Sequence, residues 1–339
     1  MTQKGKKKDS TNKLNVVFSR LDEKNQDFAL TVLQTLKFTQ EKQAQETNLH
    51  KISSKRKTKG RKSVETNVQQ LETHAREIRL KVMESIYCAQ SGHPGGSLSI
   101  CDMLAVLYFD QMNVNPQAPL WEERDRFVLS KGHAAPAYYA ALALRGYFPV
   151  AELQNLRKID SFLQGHPCMK KVPGVDMSTG SLGQGLSAAN GMAIMGKMDC
   201  KEYRVYCICG DGEMQEGQIW EAVMTAAHYK LDNLTLLVDN NGLQIDGEVS
   251  AVMNNMPIAE KLRSFGWNVL EIRGHDIAQI QCALKAAQQF SGAPTAIVCA
   301  TIKGKGVSYM ENQAGWHGAA PNQEQYEQAV RELSEEVTA

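Results

Sequence analysis

Two short segments of this 339-residue chain combine glycine with hard oxygen ligands. Gly210-Asp211-Gly212 follows the apolar run Val205-Tyr206-Cys207-Ile208-Cys209, and Asp239-Asn240-Asn241-Gly242 follows the apolar residues 234–238. Glycine lets a backbone approach a ligand closely. One carboxylate (Asp211), one amide oxygen (Asn241) and exposed carbonyls suit Mg2+ or Ca2+ that already carries a diphosphate, because both ions take oxygen ligands. Either tripeptide alone reads as a turn. Four histidines also stand close to glycine in predicted loops: His93, His133, His166 and His317. A lone loop histidine is usually an ordinary polar residue. Four in comparable settings argue for one cleft in which neutral imidazoles donate, accept and move protons near pH 7. Sugar hydroxyls need that chemistry. His50, His74, His228 and His275 read as surface or core structure.

The elements that must position these groups are legible around them. The two apolar runs are short buried strands, and roughly residues 215–229 between them form a helix with Ile219, Val223, Ala226 and Ala227 on one side. Strand, helix, strand is a βαβ unit, which belongs to a parallel sheet covered by helices. Ligands of such sheets bind at the C-terminal strand ends, so the two segments together favour a cofactor site over two turns. Further helices are expected over 72–87, 98–109, 135–144, 182–198, 277–290 and 322–337, and strands over 125–130, 267–272 and 296–300. Residues 91–97 read as a sharp break. The loop 160–182 is long enough to be functional. The helix 182–198 carries Gly183, Gly185, Ala188, Ala189, Gly191 and Ala193, a face for close packing against another helix, a cofactor or the core.

GDG followed, after the 27 residues 213–239, by Asn240-Asn241 resembles the thiamine-diphosphate motif. GDGEMQEGQIWEA is closer still to transketolase, and SGHPGG, DRFVLSKGH, GHP with TGSLGQG, and WHGAAP each resemble a transketolase segment in the same order, over about residues 65–321. The resemblance implies an α/β thiamine-diphosphate-binding fold, a parallel sheet with helices on both faces. It implies thiamine diphosphate and Mg2+ as cofactors, with Ca2+ or Mn2+ as substitutes. Asp211, the Asn241 side chain and the Leu243 carbonyl would hold the metal, with Gly210 and Gly212 against the diphosphate. His133 would sit near the diphosphate and aminopyrimidine, and Gly180 and Leu182 would contact that ring. His93 and His317 would assist proton transfer at the sugar's reacting end, with His317 also touching the cofactor. His166 would bind the donor's terminal hydroxyl. Glu216 matches the family's buried interface glutamate, which passes protons between two active sites. On its own, Glu216 reads like Glu221 as a solvated acid of a first helical turn, where acids are favourable.

A full transketolase continues into a second domain, which supplies the glutamate that activates the cofactor, and into a third. Neither is found after Pro321, so the chain resembles the N-terminal subunit of a split transketolase. The implied reaction is transfer of a two-carbon ketol unit from a ketose phosphate to an aldose phosphate, with pentose phosphates the family default. The implied partners are the sugar phosphates and a C-terminal transketolase subunit, in an assembly with at least two copies of each chain; this chain is expected to be inactive alone. The competing readings are another thiamine-diphosphate enzyme subunit, of the deoxyxylulose-phosphate synthase or dehydrogenase alpha type, and a non-catalytic binding protein.

Charge divides the chain in two. Residues 1–62 hold 16 Lys and Arg against 6 Asp and Glu, whereas the whole chain holds 38 against 37, so a basic arm precedes an acidic body. We read residues 1–63 as a basic extension with one helix about 14–45 and then a linker, and residues 64–339 as the transketolase-like domain. The arm's lysines are not interleaved with aromatic residues, so a solvated tail is preferred to a nucleic-acid contact. The eight cysteines form no CxxC pair, which fits a reducing cytoplasm rather than a disulfide framework or a zinc site. No apolar run reaches membrane-spanning length.

Overall fold

The computed structural model describes residues 67–335. The basic extension, with its expected helix and linker, lies outside the described residues. In chain order the elements are α1 (Val68–Ala89), α2 (Pro94–Leu98), α3 (Cys101–Val106), β1 (Arg126–Leu129), α4 (Ala135–Arg145), α5 (Gly185–Met198), β2 (Val205–Gly210), α6 (Gly217–His228), β3 (Leu234–Asn240), β4 (Leu243–Gln244), β5 (Gly247–Glu248), α7 (Val249–Val252), α8 (Ile258–Ser264), β6 (Asn268–Arg273), α9 (Ile277–Gln289), β7 (Thr295–Ala300) and α10 (Gln323–Glu335). Among the described residues no helix is long and apolar enough to cross a membrane.

Five strands form one parallel sheet in the order β1-β2-β3-β7-β6. Its register places Leu129 beside Ile208, Ile208 beside Leu237 and Leu237 beside Ile297, an apolar row across four strands. Successive strand residues point to opposite faces. Phe127, Tyr206 and Ile208 therefore join the core layer with α1, α3, α4 and α9, while Val128, Cys207 and Cys209 join the layer with α5, α6 and α8. Both faces are covered, which is why the strands read as continuous apolar runs. Helix starts are capped by their own sequence. Asn67 accepts from the Gln69 N–H at 3.1 Å, and Asp276 accepts from the Gln279 N–H at 3.0 Å. At α10, Asn322 and Gln325 cap each other reciprocally at 2.9 Å.

The expected break at 91–97 is only partly found. Pro94 starts α2 at a position where its missing N–H leaves no orphan donor. Gly95 and Gly96 belong to this helix because other segments press on it. A β-carbon at Gly95 would meet the Trp316 carbonyl oxygen at 2.9 Å, and one at Gly96 would meet His133 Nε2 at 3.3 Å. The helix expected over 98–109 restarts as α3 and ends in a wider π turn over Leu107–Gln111. The hairpin β4–β5 was not expected. The glycines of α5 divide by role: Gly185 lies against Ser130 and Gly196 against the Tyr203 ring, whereas a β-carbon at Gly191 would meet nothing within 4 Å.

A buried ionic brace steadies the last strand's exit. Arg79 pairs with both carboxylate oxygens of Asp102, and His275 Nδ1 lies 2.7 Å from Asp102 Oδ2. His275 Nε2 accepts from the Ile302 N–H at 2.8 Å, so the imidazole proton sits on Nδ1. Burial pushes the Asp102 carboxyl up, but the Arg79 guanidinium and His275 outweigh it and hold it below the ordinary carboxylate range. The brace ties α1 and α3 to the residue that precedes Lys303.

Candidate active site

Four neighbouring strands end at one edge, and each exit delivers a polar group. β1 leads to Lys131, whose Nζ donates to Asp239 at 2.6 Å and to the Gly96 carbonyl at 2.7 Å. Asp239, fully buried in β3, also accepts from Ser99 Oγ at 2.7 Å, from Thr301 Oγ1 and from Asn241 Nδ2 at 2.9 Å. Burial pushes the Asp239 carboxyl up, but Lys131 together with the hydrogen bonds from Thr301 and Ser99 outweighs burial and holds it below its ordinary value. Because the Asn241 amide nitrogen is engaged by Asp239, its oxygen is fixed on the other side, where it accepts from the Leu243 N–H at 3.1 Å.

A cavity of about 360 Å³ opens over this edge. Asp211, Gly210, Gly212, Asn241 and Leu243 line it, as do Gly180, Leu182 and Glu216, and so do His93, His133 and His317. Of the residues expected to bind cofactor, metal or sugar or to pass protons, His166 alone is off the lining; its ring lies against Gly180, where a β-carbon would meet His166 Cδ2 at 3.0 Å. His74 and His228 take no part in the cavity, and His275 belongs to the brace.

The three lining imidazoles form one cluster. Ring centroids are 5.3 Å apart for His93 and His133, 5.5 Å for His93 and His317, and 5.0 Å for His133 and His317. Burial, then the charge of Arg157, pushes His93 down to about 4. Burial, then Lys303, pushes His317 down to about 3, and burial with Lys131 holds His133 well below the ordinary imidazole value. His166 is lowered by burial and by Arg157. All four are therefore neutral at pH 7, able to donate from one nitrogen and accept at the other.

The donor set fits a hard cation that arrives with its own oxygens. Among the described residues no group of three or more His, Cys, Asp or Glu forms a metal cage. Asp211, Asn241 and the Leu243 carbonyl instead offer three oxygens of mixed type, leaving half of an octahedral shell to a ligand and water, which suits Mg2+. Burial and the nearby charge of Asp239 raise the Asp211 carboxyl to about 6, so a cation there relieves a strained charge. A second feature fits an anion. Lys303 is 2% exposed, and its Nζ touches only neutral groups, the Leu243 carbonyl at 3.2 Å and His317 Nδ1 at 3.0 Å. Among the described residues it has no carboxylate partner, and burial, then Lys131, lowers it to about 8. A buried ammonium facing a cavity suits a diphosphate.

Two neighbouring glutamates differ sharply. Glu216 is exposed at the start of α6, and Gly183 lies against its Cβ. Glu213, not singled out in the sequence, is buried and accepts three hydrogen bonds. Its Oε1 takes Ser130 Oγ at 2.5 Å and the Gly183 N–H at 3.0 Å, and its Oε2 takes the Gly210 N–H at 3.1 Å. Burial still leaves its carboxyl above the ordinary value. Lys131, Arg157 and Lys303 were likewise not singled out. Lys131 and Lys303 had only a place beside glycine as a sequence signal, and Arg157, between Leu156 and Lys158, had none.

Residues 71–336 match the transketolase, thiamine diphosphate binding domain model. The 6-deoxy-6-sulfo-D-fructose transketolase subunit SqwG of Clostridium sp. (strain MSTE9) is 47% identical over 266 residues, 78% of this chain and 97% of that protein. An apulose-4-phosphate transketolase subunit of Phocaeicola vulgatus is 43% identical over 270 residues, 80% of this chain and 96% of that protein. Human transketolase is 42% identical over 272 residues, which span 43% of its length. The crystal structure of Campylobacter jejuni transketolase matches with a TM-score of 0.75 and 35% identity, covering 79% of this chain and 43% of that one.

Proposed function

Because the chain belongs to the transketolase family, we propose that it is the diphosphate-binding subunit of a two-subunit transketolase. It moves a two-carbon ketol unit from a ketose phosphate to an aldose phosphate. The observation that carries this reading is that three neutral imidazoles and the oxygens of Asp211, Asn241 and Leu243 line one cavity.

Bound thiamine diphosphate supplies the electron sink for the two-carbon fragment. The chain's own residues bind and move protons. Asp211, Asn241 and the Leu243 carbonyl hold Mg2+, with Ca2+ or Mn2+ as substitutes, and Gly210 and Gly212 let the backbone lie against the diphosphate. Lys303 offsets its charge. Gly180 and Leu182 border the aminopyrimidine, beside His133. His93 and His317 face the reacting end of the sugar, where a neutral ring assists proton transfer by hydrogen-bonding the oxygen that loses or gains the proton. His166 meets the donor's terminal hydroxyl. Glu216 is exposed in the single chain, where a proton-passing contact with a second copy would cover it.

The group that activates the cofactor comes from a partner subunit, in an assembly with at least two copies of each. Support comes from the relatives named as subunits, which this chain covers almost completely, against 43% of the human enzyme. Their names carry different sugars, so the donor and acceptor are to be read from assay; the pentose phosphate pathway is the first setting to test. Cysteines without CxxC spacing support a cytoplasmic setting. The test is ketol transfer between a ketopentose phosphate and an aldopentose phosphate, with thiamine diphosphate and Mg2+. It is run with the chain alone and with the protein that copurifies from its native cell. Transfer only in the mixture is expected. Full transfer by the chain alone would refute the partner requirement.

A further inference from the structure

Arg157 stands behind His93, outside the residues assigned so far. Its Nη1 donates to Ser91 Oγ at 3.0 Å and its Nη2 lies 3.5 Å from His93 Nδ1. Among the described residues no carboxylate pairs with it. Its backbone is left-handed, φ 61°, an unusual conformation for a residue with a β-carbon, held by its N–H donating to the Leu163 carbonyl at 2.8 Å. Gly165 is flat against the guanidinium: a β-carbon there would come within 3.0 Å of Arg157 Cζ and Nη2. Such an outlier, braced on several sides, points to a positional role.

A guanidinium only donates hydrogen bonds. The imidazole nitrogen facing it must therefore be the bare acceptor, and the proton of the neutral ring must sit on the other nitrogen. We propose that Arg157 is a positioning residue that fixes His93 in the tautomer carrying its proton on Nε2, so that His93 meets substrate as an Nε2–H donor. The role in transfer rests on the transketolase reading above; the tautomer does not. The charged and titratable groups facing His93 are Arg157, His133, His166, Lys303 and His317, none of them a carboxylate, so nothing there competes for a proton on Nδ1.

The test is 15N imidazole spectroscopy of the full chain labelled at histidine, with His93 assigned by the signal lost in His93→Asn. The wild type should carry the proton on Nε2 alone through neutral pH. Arg157→Met should give a tautomer mixture and shift the His93 midpoint from about 4 toward 6.5. Gly165→Ala, which keeps the charge but displaces the guanidinium, should move both in the same direction by less. A wild-type Nδ1–H, or no change in both variants, overturns the proposal. In the two-subunit mixture, Arg157→Met should lose about 10–100-fold in kcat with cofactor affinity unchanged; an unchanged kcat overturns the role in transfer. Absence of transfer by the wild type would count against the transketolase reading and leave the tautomer result standing.

Discussion

Replacing Glu213 by glutamine changes one charge and almost no volume, yet the hydrogen-bond geometry makes it costly. Both carboxylate oxygens are acceptors for buried donors: Ser130 Oγ and the Gly183 N–H on one, the Gly210 N–H on the other. A glutamine amide has one acceptor side and one donor side. In one orientation its NH2 faces the Gly210 N–H; flipped, it faces the Gly183 N–H. Ser130 can rotate its hydroxyl to accept, but a backbone N–H cannot. One buried donor is therefore always unsatisfied, at about 1–3 kcal/mol. At about 2–4 °C per kcal/mol for a domain of this size, a 2 kcal/mol loss lowers Tm by about 4–8 °C. The same substitution loosens the Gly183 turn, so thiamine diphosphate binding should weaken as well. Differential scanning fluorimetry with and without thiamine diphosphate and Mg2+ reads both effects. A Tm within about 1 °C of wild type, below even a 0.5 kcal/mol loss, would refute the reasoning, because it would mean that shape rather than acceptor count holds the three segments together.

Lys303→Met should act in opposite directions on the free and bound chain. It removes a buried charge without a partner, so the free chain should become more stable, while thiamine diphosphate affinity should fall about 10–100-fold with the loss of a charge-assisted contact; titration calorimetry and thermal melts separate the two. Gly183→Ala should cost about 1–2 kcal/mol, since its φ is 85° and the new β-carbon meets Glu216 Cβ at 2.8 Å; a melt equal to wild type would contradict this. Asp102→Asn should cost about 3–5 kcal/mol at pH 7 by breaking the buried ion pair between Asp102 and Arg79. The Asp102 carboxyl is lowered in the fold, so its contribution is fully present above the ordinary value of 3.8 and is lost as pH falls through the folded value. Urea unfolding at several pH values should therefore show the gap between variant and wild type closing only below that range.

Asp211 and Asn241 were readable as residues of the cavity edge because each is announced locally: Asp211 between two glycines, Asn241 before a third, both after apolar runs long enough to be strands. The histidine cluster was readable only as a set, since nothing in the chain states that His93 and His317 come within 5.5 Å. Apart from the family resemblance, which marked Glu216, Glu213 and Glu216 look alike in sequence, three residues apart at one helix start. What separates them is Ser130, 83 residues away, and Gly183, 30 residues away. Arg157 and Lys303 were missed for the same reason: their partners are set by the fold and not by neighbours in the chain. The continuous helix expected over 98–109 failed at Ser99 and Ile100, where Ser99 turns its hydroxyl to Asp239 rather than to solvent. The hairpin β4–β5 has two-residue strands, too short for any periodicity to show.

The solitary ammonium of Lys303 has a consequence beyond affinity. A fold that buries a cation beside neutral groups is least stable when no anion lies next to it, so an anionic cofactor stabilises it by mass action, increasingly with concentration above Kd. Protein lacking the cofactor would open more often and be cleared sooner by proteolysis. The cellular level of this chain should then follow the supply of the vitamin-derived cofactor with no transcriptional control at all, and turnover would become a readout of nutritional state.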